Sequence, residues 1–159
     1  LIAMVLSYVL ALSAQVRASI PFSPVPVTAQ TLVVLLFGGV LPRRMIGSTF
    51  GLYLLAGGLG LPYFAGASLA GPTGGYLLGF VVAAFTVSVL MESGWVRGRF
   101  RVVLVLLIGN ALIYALGLPW LALFVGLNKV VVLGLLPFVV GDLFKLFCAA
   151  GIVIARNRL

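Results

Sequence analysis

Long apolar stretches, separated by short basic or Pro- and Gly-rich connections, run the whole length of this chain. Of its 159 residues 64% are hydrophobic, and it has only 10 Lys or Arg and 2 Asp or Glu. A water-soluble domain has about 25% charged residues, so this chain is not one. Each membrane crossing needs about 20 apolar residues, so the length leaves room for five or six. We predict an all-α membrane protein with six transmembrane helices. We expect residues 1–159 to form a single integral membrane domain whose natural N-terminus precedes Leu1.

The apolar stretches place the six spans and one additional helix. The spans are predicted over residues 1–16, 29–41, 45–61, 73–91, 102–116 and 137–155. Before the last span, residues 119–133 include Asn128 and Lys129, which favour an interfacial or re-entrant helix. The first loop, residues 17–28, contains three prolines, which exclude a regular helix. Residues 63–72 form a connection rich in Gly and Ala.

The positions of the basic residues predict the orientation. With the N-terminus in the cytoplasm, only Arg17 and Lys129 lie on the outer side. The inner side then carries Arg43, Arg44, Arg97, Arg99, Arg101, Arg156 and Arg158. Because cytoplasmic loops are enriched in Lys and Arg, both termini are predicted to be cytoplasmic. The loops with unusual sequences then lie on the outer face, where a ligand site would open.

The composition excludes several classes of function. Histidine is absent and Cys148 is the single cysteine, which excludes zinc sites, haem ligation by His and catalytic Ser–His or Cys–His pairs. The basic residues form no patch or tail that would indicate nucleic-acid binding. The phosphate-binding pattern G-x-x-x-x-G-K-[ST] is also missing. We therefore predict a protein without enzymatic activity, metal or cofactor, which binds a ligand from outside and depends on partners for energy.

Asp142 and Lys145 are the acid and the base that fall inside a predicted span. They are three positions apart and therefore share a helix face. Since ionisable groups are costly in a membrane, they mark a functional site by default. The alternative is a neutralised structural pair, but Gly141 and the nearby Pro137 favour a cavity.

Several further residues could contact a ligand, each with a structural alternative. Gly74 and Gly75 begin the fourth span, where their N–H groups could bind a polar group or where the missing side chains could let helices pack closely. The same choice between ligand contact and structural role applies to three further groups. These are the capping positions Thr28, Gln30 and Thr31, the aromatic residues Tyr63, Phe64 and Tyr76, and one face of the fifth span with Asn110 and Tyr114. For Asn110 and Tyr114, hydrogen bonding between helices is slightly favoured.

Four motifs follow one another along the chain: Pro24-Val-Pro-Val-Thr-Ala-Gln-Thr31, Gly58-Leu-Gly-Leu-Pro-Tyr-Phe-Ala65, Gly71-Pro-Thr-Gly-Gly-Tyr-Leu77 and Gly141-Asp-Leu-Phe-Lys145. Together they resemble the BioY family, the biotin-binding substrate components (S components) of energy-coupling factor (ECF) transporters. The resemblance implies the S-component fold and capture of biotin at the outer face of a bacterial or archaeal cell membrane. It also implies assembly with a transmembrane coupling subunit and two ATP-binding subunits.

The resemblance, together with the residue chemistry, predicts two sets of functional residues. The substrate site is predicted to comprise Asp142, Lys145, Gly74, Gly75, Tyr76, Thr73, Phe64, Gln30, Thr28 and Asn110. The first helix is predicted to dock on the coupling subunit through the small residues Ala3, Ser7 and Ala11.

Alternatives remain open at two points. The chain could be an S component for another vitamin, or a membrane subunit that uses its glycine faces only to bind partners. If the ligand is biotin, Phe64 and Tyr76 can bury its bicyclic body, and Asp142 can accept a hydrogen bond from its ureido group. Its carboxylate could meet Lys145, Arg17 or Lys129.

Overall fold

The prolines of the first loop and the apolar stretches around it divide the chain into helices and one short ribbon. A computed structural model describes residues 1–64 and 68–157. The helices are α1 Ile2–Gln15, α2 Gln30–Val40, α3 Arg43–Gly58, α4 Gly74–Glu92, α5 Arg99–Val125, α6 Leu127–Gly134 and α7 Leu136–Asn157, with a 3-10 turn at Pro62–Phe64. Within the Pro-rich loop, β1 (Arg17–Ala18) pairs antiparallel with β2 (Val27–Thr28). In helices each backbone N–H and C=O is paired within its own segment, as lipid requires.

The length and the apolar composition of several helices are those of a membrane protein. By length and composition, three stretches of the described chain could cross a membrane: Gly74–Glu92, Arg99–Val125 and Leu127–Asn157, the last taking α6 and α7 together. Ile2–Gln15 and Gln30–Val40 are apolar but shorter. The count of six spans therefore stays a prediction.

Helix α5 continues through Pro119 and ends at Val125. We expected a helix end at residue 116 and a separate helix from residue 119, and both boundaries are wrong. Proline removes one backbone hydrogen bond, yet membrane helices tolerate it where neighbouring groups compensate. The break falls instead at Gly126, whose φ of 82° places it in the left-handed region that glycine adopts freely. The short helix after it is α6.

Helix α4 is the centre of the bundle and packs against α5, α2 and α3. Glycines allow these approaches: a Cβ on Gly79 would lie 3.0 Å from the Ile113 Cα, and one on Gly38 would lie 2.9 Å from the Val87 Cβ. Helix α7 packs on α2 and α5, while α1 packs on α3. Two buried apolar clusters result, one around Tyr76 and the other around Val87.

One end of the bundle, the basic end, joins the α2–α3 turn, the end of α4 and the end of α7. Ser88 Oγ donates to the Leu41 carbonyl at 2.7 Å, and Arg156 donates to the Val40 carbonyl. Glu92 Oε1 accepts the Arg43 backbone N–H at 2.9 Å, a favourable place for a carboxylate because it faces the first turn of α3. This end carries the arginines assigned to the cytoplasmic side, except Arg158, which lies outside the described residues.

The opposite end, the loop end, gathers the connections with unusual sequences. Gln15 Nε2 donates to the Pro62 carbonyl at 2.7 Å, and Ser23 Oγ donates to the Leu133 carbonyl at 2.7 Å. Trp120 Nε1 donates to the Gly71 carbonyl at 2.9 Å. The first loop (residues 17–28), the third loop (the Gly- and Ala-rich connection of residues 63–72) and α6 therefore meet at one end, as expected. Residues 65–67 of the third loop lie outside the described part of the chain.

Helix α1 turns its small residues toward the rest of the chain. Ser7 is 2% exposed, Ala11 is 4% exposed, and Ala3 is half-buried. Ser7 and Ala11 are therefore largely covered within the described chain, in which α1 packs on α3. Docking of this face on a coupling subunit stays a prediction. Larger apolar side chains, such as Val5 and Tyr8, cover the outward face of α1.

Candidate functional site

A cavity lies toward the loop end between α2, α4, α5 and α7. Aliphatic and aromatic atoms form most of its surface, and polar side-chain groups from several residues interrupt it. The lining residues are Val25, Pro26, Thr28, Gln30, Thr31, Phe64, Thr73, Tyr76, Leu77, Phe80, Ile113, Tyr114, Phe138, Asp142 and Lys145. A mostly apolar wall with a few placed polar groups is typical of small-molecule sites.

A buried carboxylate forms the charged corner of this cavity. Asp142 is 5% exposed, and its oxygens have two different partners. Lys145 Nζ lies 2.9 Å from Oδ1, and Tyr114 Oη donates to Oδ2 at 2.5 Å. A buried charge needs such partners to offset its loss of hydration. Each carboxylate oxygen can accept a further bond, and the Lys145 ammonium has two further protons to donate.

Polar groups on the α2 and α4 sides of the cavity complete its hydrogen-bonding capacity. Gln30 is 4% exposed, and its Nε2 donates to Tyr53 Oη at 2.7 Å. Its backbone N–H donates to Thr28 Oγ1 at 3.3 Å. The Thr73 Oγ1 is buried and has no hydrogen-bond partner within the described chain. Since buried hydroxyls normally have a partner, Thr73 is available to a ligand.

The aromatic wall is held in place by contacts behind it. Tyr76 Oη donates to the Gly134 carbonyl at 2.8 Å, which ties α4 to the end of α6. The ring of Tyr76 meets that of Tyr114 edge to face, with centroids 6.4 Å apart. Phe64 packs edge-on against Tyr53 at 5.2 Å. Such pairs stabilise a defined ring orientation, so the apolar surface is preformed.

The structure brings most of the predicted site residues together. The cavity wall includes Asp142, Lys145, Tyr76, Thr73, Phe64, Gln30 and Thr28. Gly74, Gly75 and Asn110 are not part of the lining. Asn110 lies one helical turn from Tyr114 toward the basic end, and its Oδ1 is buried without a partner in the described chain.

Close packing accounts for the positions of Gly74 and Gly75. The Gly74 N–H donates to the Gly71 carbonyl at 3.0 Å, so this amide is already used. A Cβ on Gly75 would lie 2.3 Å from the Trp120 Cβ, and one on Gly74 would lie 2.0 Å from the Leu69 carbonyl oxygen. The two glycines therefore bring α5 and the third loop against α4.

Sequence reasoning left several lining residues out of the predicted site. The hydrogen bond between helices expected for Tyr114 is present, since Tyr114 on α5 donates to Asp142 on α7, and Tyr114 also lines the cavity. Phe138 and Phe80 were also left out, although each lies four positions from a predicted site residue, Asp142 and Tyr76 respectively. That spacing puts them on the same helix face and is the signal that could have identified them.

The fold and the cavity define a helical membrane protein with a preformed, mostly apolar binding site and one buried ion pair. A family model described as the BioY family matches residues 1–159. The chain belongs to the BioY family. The resemblance noted from the four motifs is therefore confirmed.

Relatives from other organisms support the same assignment. The chain is 39% identical to the "Probable biotin transporter BioY" of Pyrococcus horikoshii, over 99% of this chain and 94% of that protein. It is 40% identical to the "Biotin transporter BioY" of Thermotoga maritima, over 89% of this chain and 86% of that protein. Both relatives are named as biotin transporters.

The fold matches that of a crystal structure of the S-component for biotin from an ECF-type ABC transporter. The TM-score is 0.85 at 22% sequence identity, over 99% of this chain and 89% of that one. The predicted S-component fold is therefore confirmed.

Proposed function

We propose that this protein captures biotin at the outer face of the cell membrane and is the substrate-binding subunit of an ECF-type transporter. The observation that carries the proposal is the buried corner of Asp142, Lys145 and Tyr114 in a mostly apolar cavity. The names of its BioY relatives support biotin as the ligand.

The chemistry of biotin matches the cavity part by part. Its apolar bicyclic body and side chain suit the aromatic wall around Phe64, Tyr76 and Phe138. Its ureido group has two N–H donors and one carbonyl acceptor. The Asp142 carboxylate can accept an N–H, and the Lys145 ammonium can donate to the carbonyl. A hydrogen bond to a charged group contributes about 1.5–3 kcal/mol, so this corner can select the ureido group.

Transport requires partners that supply energy. The chain has no phosphate-binding loop motif, so ATP hydrolysis has to come from other subunits. We infer that these are an ECF transmembrane coupling subunit and two ATP-binding subunits. The fold shared with an S-component supports this assembly.

We further infer that the basic end faces the cytoplasm, with both termini on that side. The described arginines at this end are Arg43, Arg44, Arg97, Arg99, Arg101 and Arg156, whereas the loop end has only Arg17 and Lys129 among its described cations. This asymmetry is the positive-inside pattern of cell-membrane proteins. The mouth of the cavity, at the loop end, would then receive ligand from outside.

Native mass spectrometry of the protein purified in mild detergent tests the ligand. We expect a bound mass equal to that of biotin after growth with the vitamin, and saturable binding of labelled biotin to ligand-free protein. A bound mass of a different vitamin, or ligand-free protein that does not bind biotin, would overturn the proposal. Uptake of labelled biotin by cells with and without the coupling and ATP-binding subunits tests the partner assignment.

A further inference from the structure

The charged corner of the cavity carries no net charge. Lys145 Nζ and Asp142 Oδ1 are 2.9 Å apart, and their side chains are 15% and 7% exposed. The positive charge of Lys145 is therefore already paired with a negative one. If the ligand is biotin, as proposed above, its carboxylate brings a further negative charge that this pair does not neutralise. A second cation at the mouth of the cavity would supply the opposite charge.

The ribbon of β1 and β2 places an arginine at the rim of the cavity. Arg17 on β1 is the direct partner of Thr28 on β2, and the Ala29 N–H donates to the Val16 carbonyl at 3.0 Å beside this pair. Directly opposed residues of an antiparallel pair project on the same face of the ribbon. Arg17 therefore shares a ribbon face with Thr28, which contributes to the cavity lining.

Arg17 is also uncommitted. It is exposed, and within the described chain its guanidinium makes no hydrogen bond or ion pair. The other described cation at the loop end, Lys129 on α6, is itself exposed. The buried residues of α6 are Val130 and Gly134, so Lys129 is on the face of α6 that points away from the bundle.

We propose that Arg17 binds the carboxylate of the ligand at the rim of the cavity. The planar guanidinium can donate two parallel hydrogen bonds to one carboxylate. The site then recognises a ligand with a polar head at Asp142, an apolar body along the aromatic wall and an anionic tail at the ribbon. This inference rests on the proposed function, because it assigns a role at the same site.

Equilibrium binding of biotin and of biotinamide, in which a neutral amide replaces the carboxylate, tests the proposal. The unmodified protein should bind biotin about tenfold more tightly than biotinamide, the factor that corresponds to about 1.4 kcal/mol. Arg17→Gln should weaken biotin binding about tenfold and leave biotinamide binding unchanged. Lys129→Gln is the matched control, and it should keep the preference of the unmodified protein.

The outcomes separate the two proposals. Equal binding of both ligands by the unmodified protein overturns the role of Arg17 and leaves the proposed function standing. Two other results also overturn it: loss of the preference in Lys129→Gln, or equal weakening of both ligands by Arg17→Gln, which would indicate a structural role. Absence of binding to either ligand by the unmodified protein overturns the proposed function itself, and the role of Arg17 with it.

Discussion

Tyr114 on α5 donates a hydrogen bond of 2.5 Å to the Oδ2 of Asp142 on α7, so the buried carboxylate is held from two helices. Lys145 holds the other oxygen from within α7. The carboxylate orientation thus depends on the packing of α5 against α7 as well as on the spacing within α7. A ligand that binds Asp142 therefore meets a preorganised acceptor, which lowers the entropic cost of binding.

Replacing Tyr114 with Phe should weaken biotin binding and lower the free energy of unfolding. The change removes one hydrogen bond to a charged group, which contributes about 1.5–3 kcal/mol. Thermal unfolding in detergent and biotin titration measure the two effects. Tyr63→Phe is the matched control, because the Tyr63 ring packs on Tyr53 while its hydroxyl makes no hydrogen bond within the described chain. Equal behaviour of the two variants would contradict the role given to Tyr114.

Asp142→Asn and Lys145→Ala should each weaken biotin binding by about tenfold to a hundredfold, the equivalent of one charge-assisted hydrogen bond. In Lys145→Ala part of the loss comes from leaving the Asp142 carboxylate without its ion pair. Biotin titration of well-folded variants measures the effect. If the pair is only structural, the affinity stays near normal while thermal stability falls, and the site assignment is wrong.

Gly75→Ala should destabilise the protein by about 1–3 kcal/mol, the usual effect of overpacking a tight core. The new Cβ would lie 2.3 Å from the Trp120 Cβ and 2.6 Å from the Leu116 carbonyl oxygen. Gly47→Ala is the control, since a Cβ there meets nothing within 4 Å and alanine favours a helix. Thermal unfolding in detergent compares the two. Reduced biotin affinity at unchanged stability in Gly75→Ala would instead support a direct ligand contact.

Ser7→Trp should lower thermal stability strongly, because Ser7 is 2% exposed and offers no room for an indole. Val5→Trp, two residues away on the outward face of α1, should leave stability nearly unchanged because Val5 is 55% exposed. Thermal unfolding of both variants in detergent measures the difference. A normally stable Ser7→Trp protein would show that this face of α1 is open to a partner helix.

Cysteine labelling from outside intact cells checks the orientation in a Cys148→Ser background. Ser68→Cys, at the loop end, should react with a membrane-impermeant maleimide. Ser93→Cys, at the basic end, should react only after the membrane is permeabilised. Both serines are exposed, and the substitution is nearly isosteric at each. The reverse pattern would contradict the cytoplasmic assignment of the basic end.

The sequence by itself determined the class of the protein and much of its site. Apolar runs of membrane length require helices in lipid, whatever their neighbours are. The shared face of Asp142 and Lys145 follows from their spacing on one helix, and their ion pair formed as that spacing indicates. The four ordered motifs identified the family before any contact between helices was known.

Only the tertiary structure decided what covers each helix face. The spacing of Ser7 and Ala11 defines a small-residue face but not whether α3 or another protein covers it. Likewise, the sequence allowed Gly75 either to expose its amide to a ligand or to let another helix pack closely. The position of Trp120 shows that α5 packs closely there. Tyr114 reaches Asp142 only because α5 packs on α7, and Arg17 lies opposite Thr28 only through strand pairing. Local spacing determines directions within one element, whereas long-range packing determines which group lies in that direction.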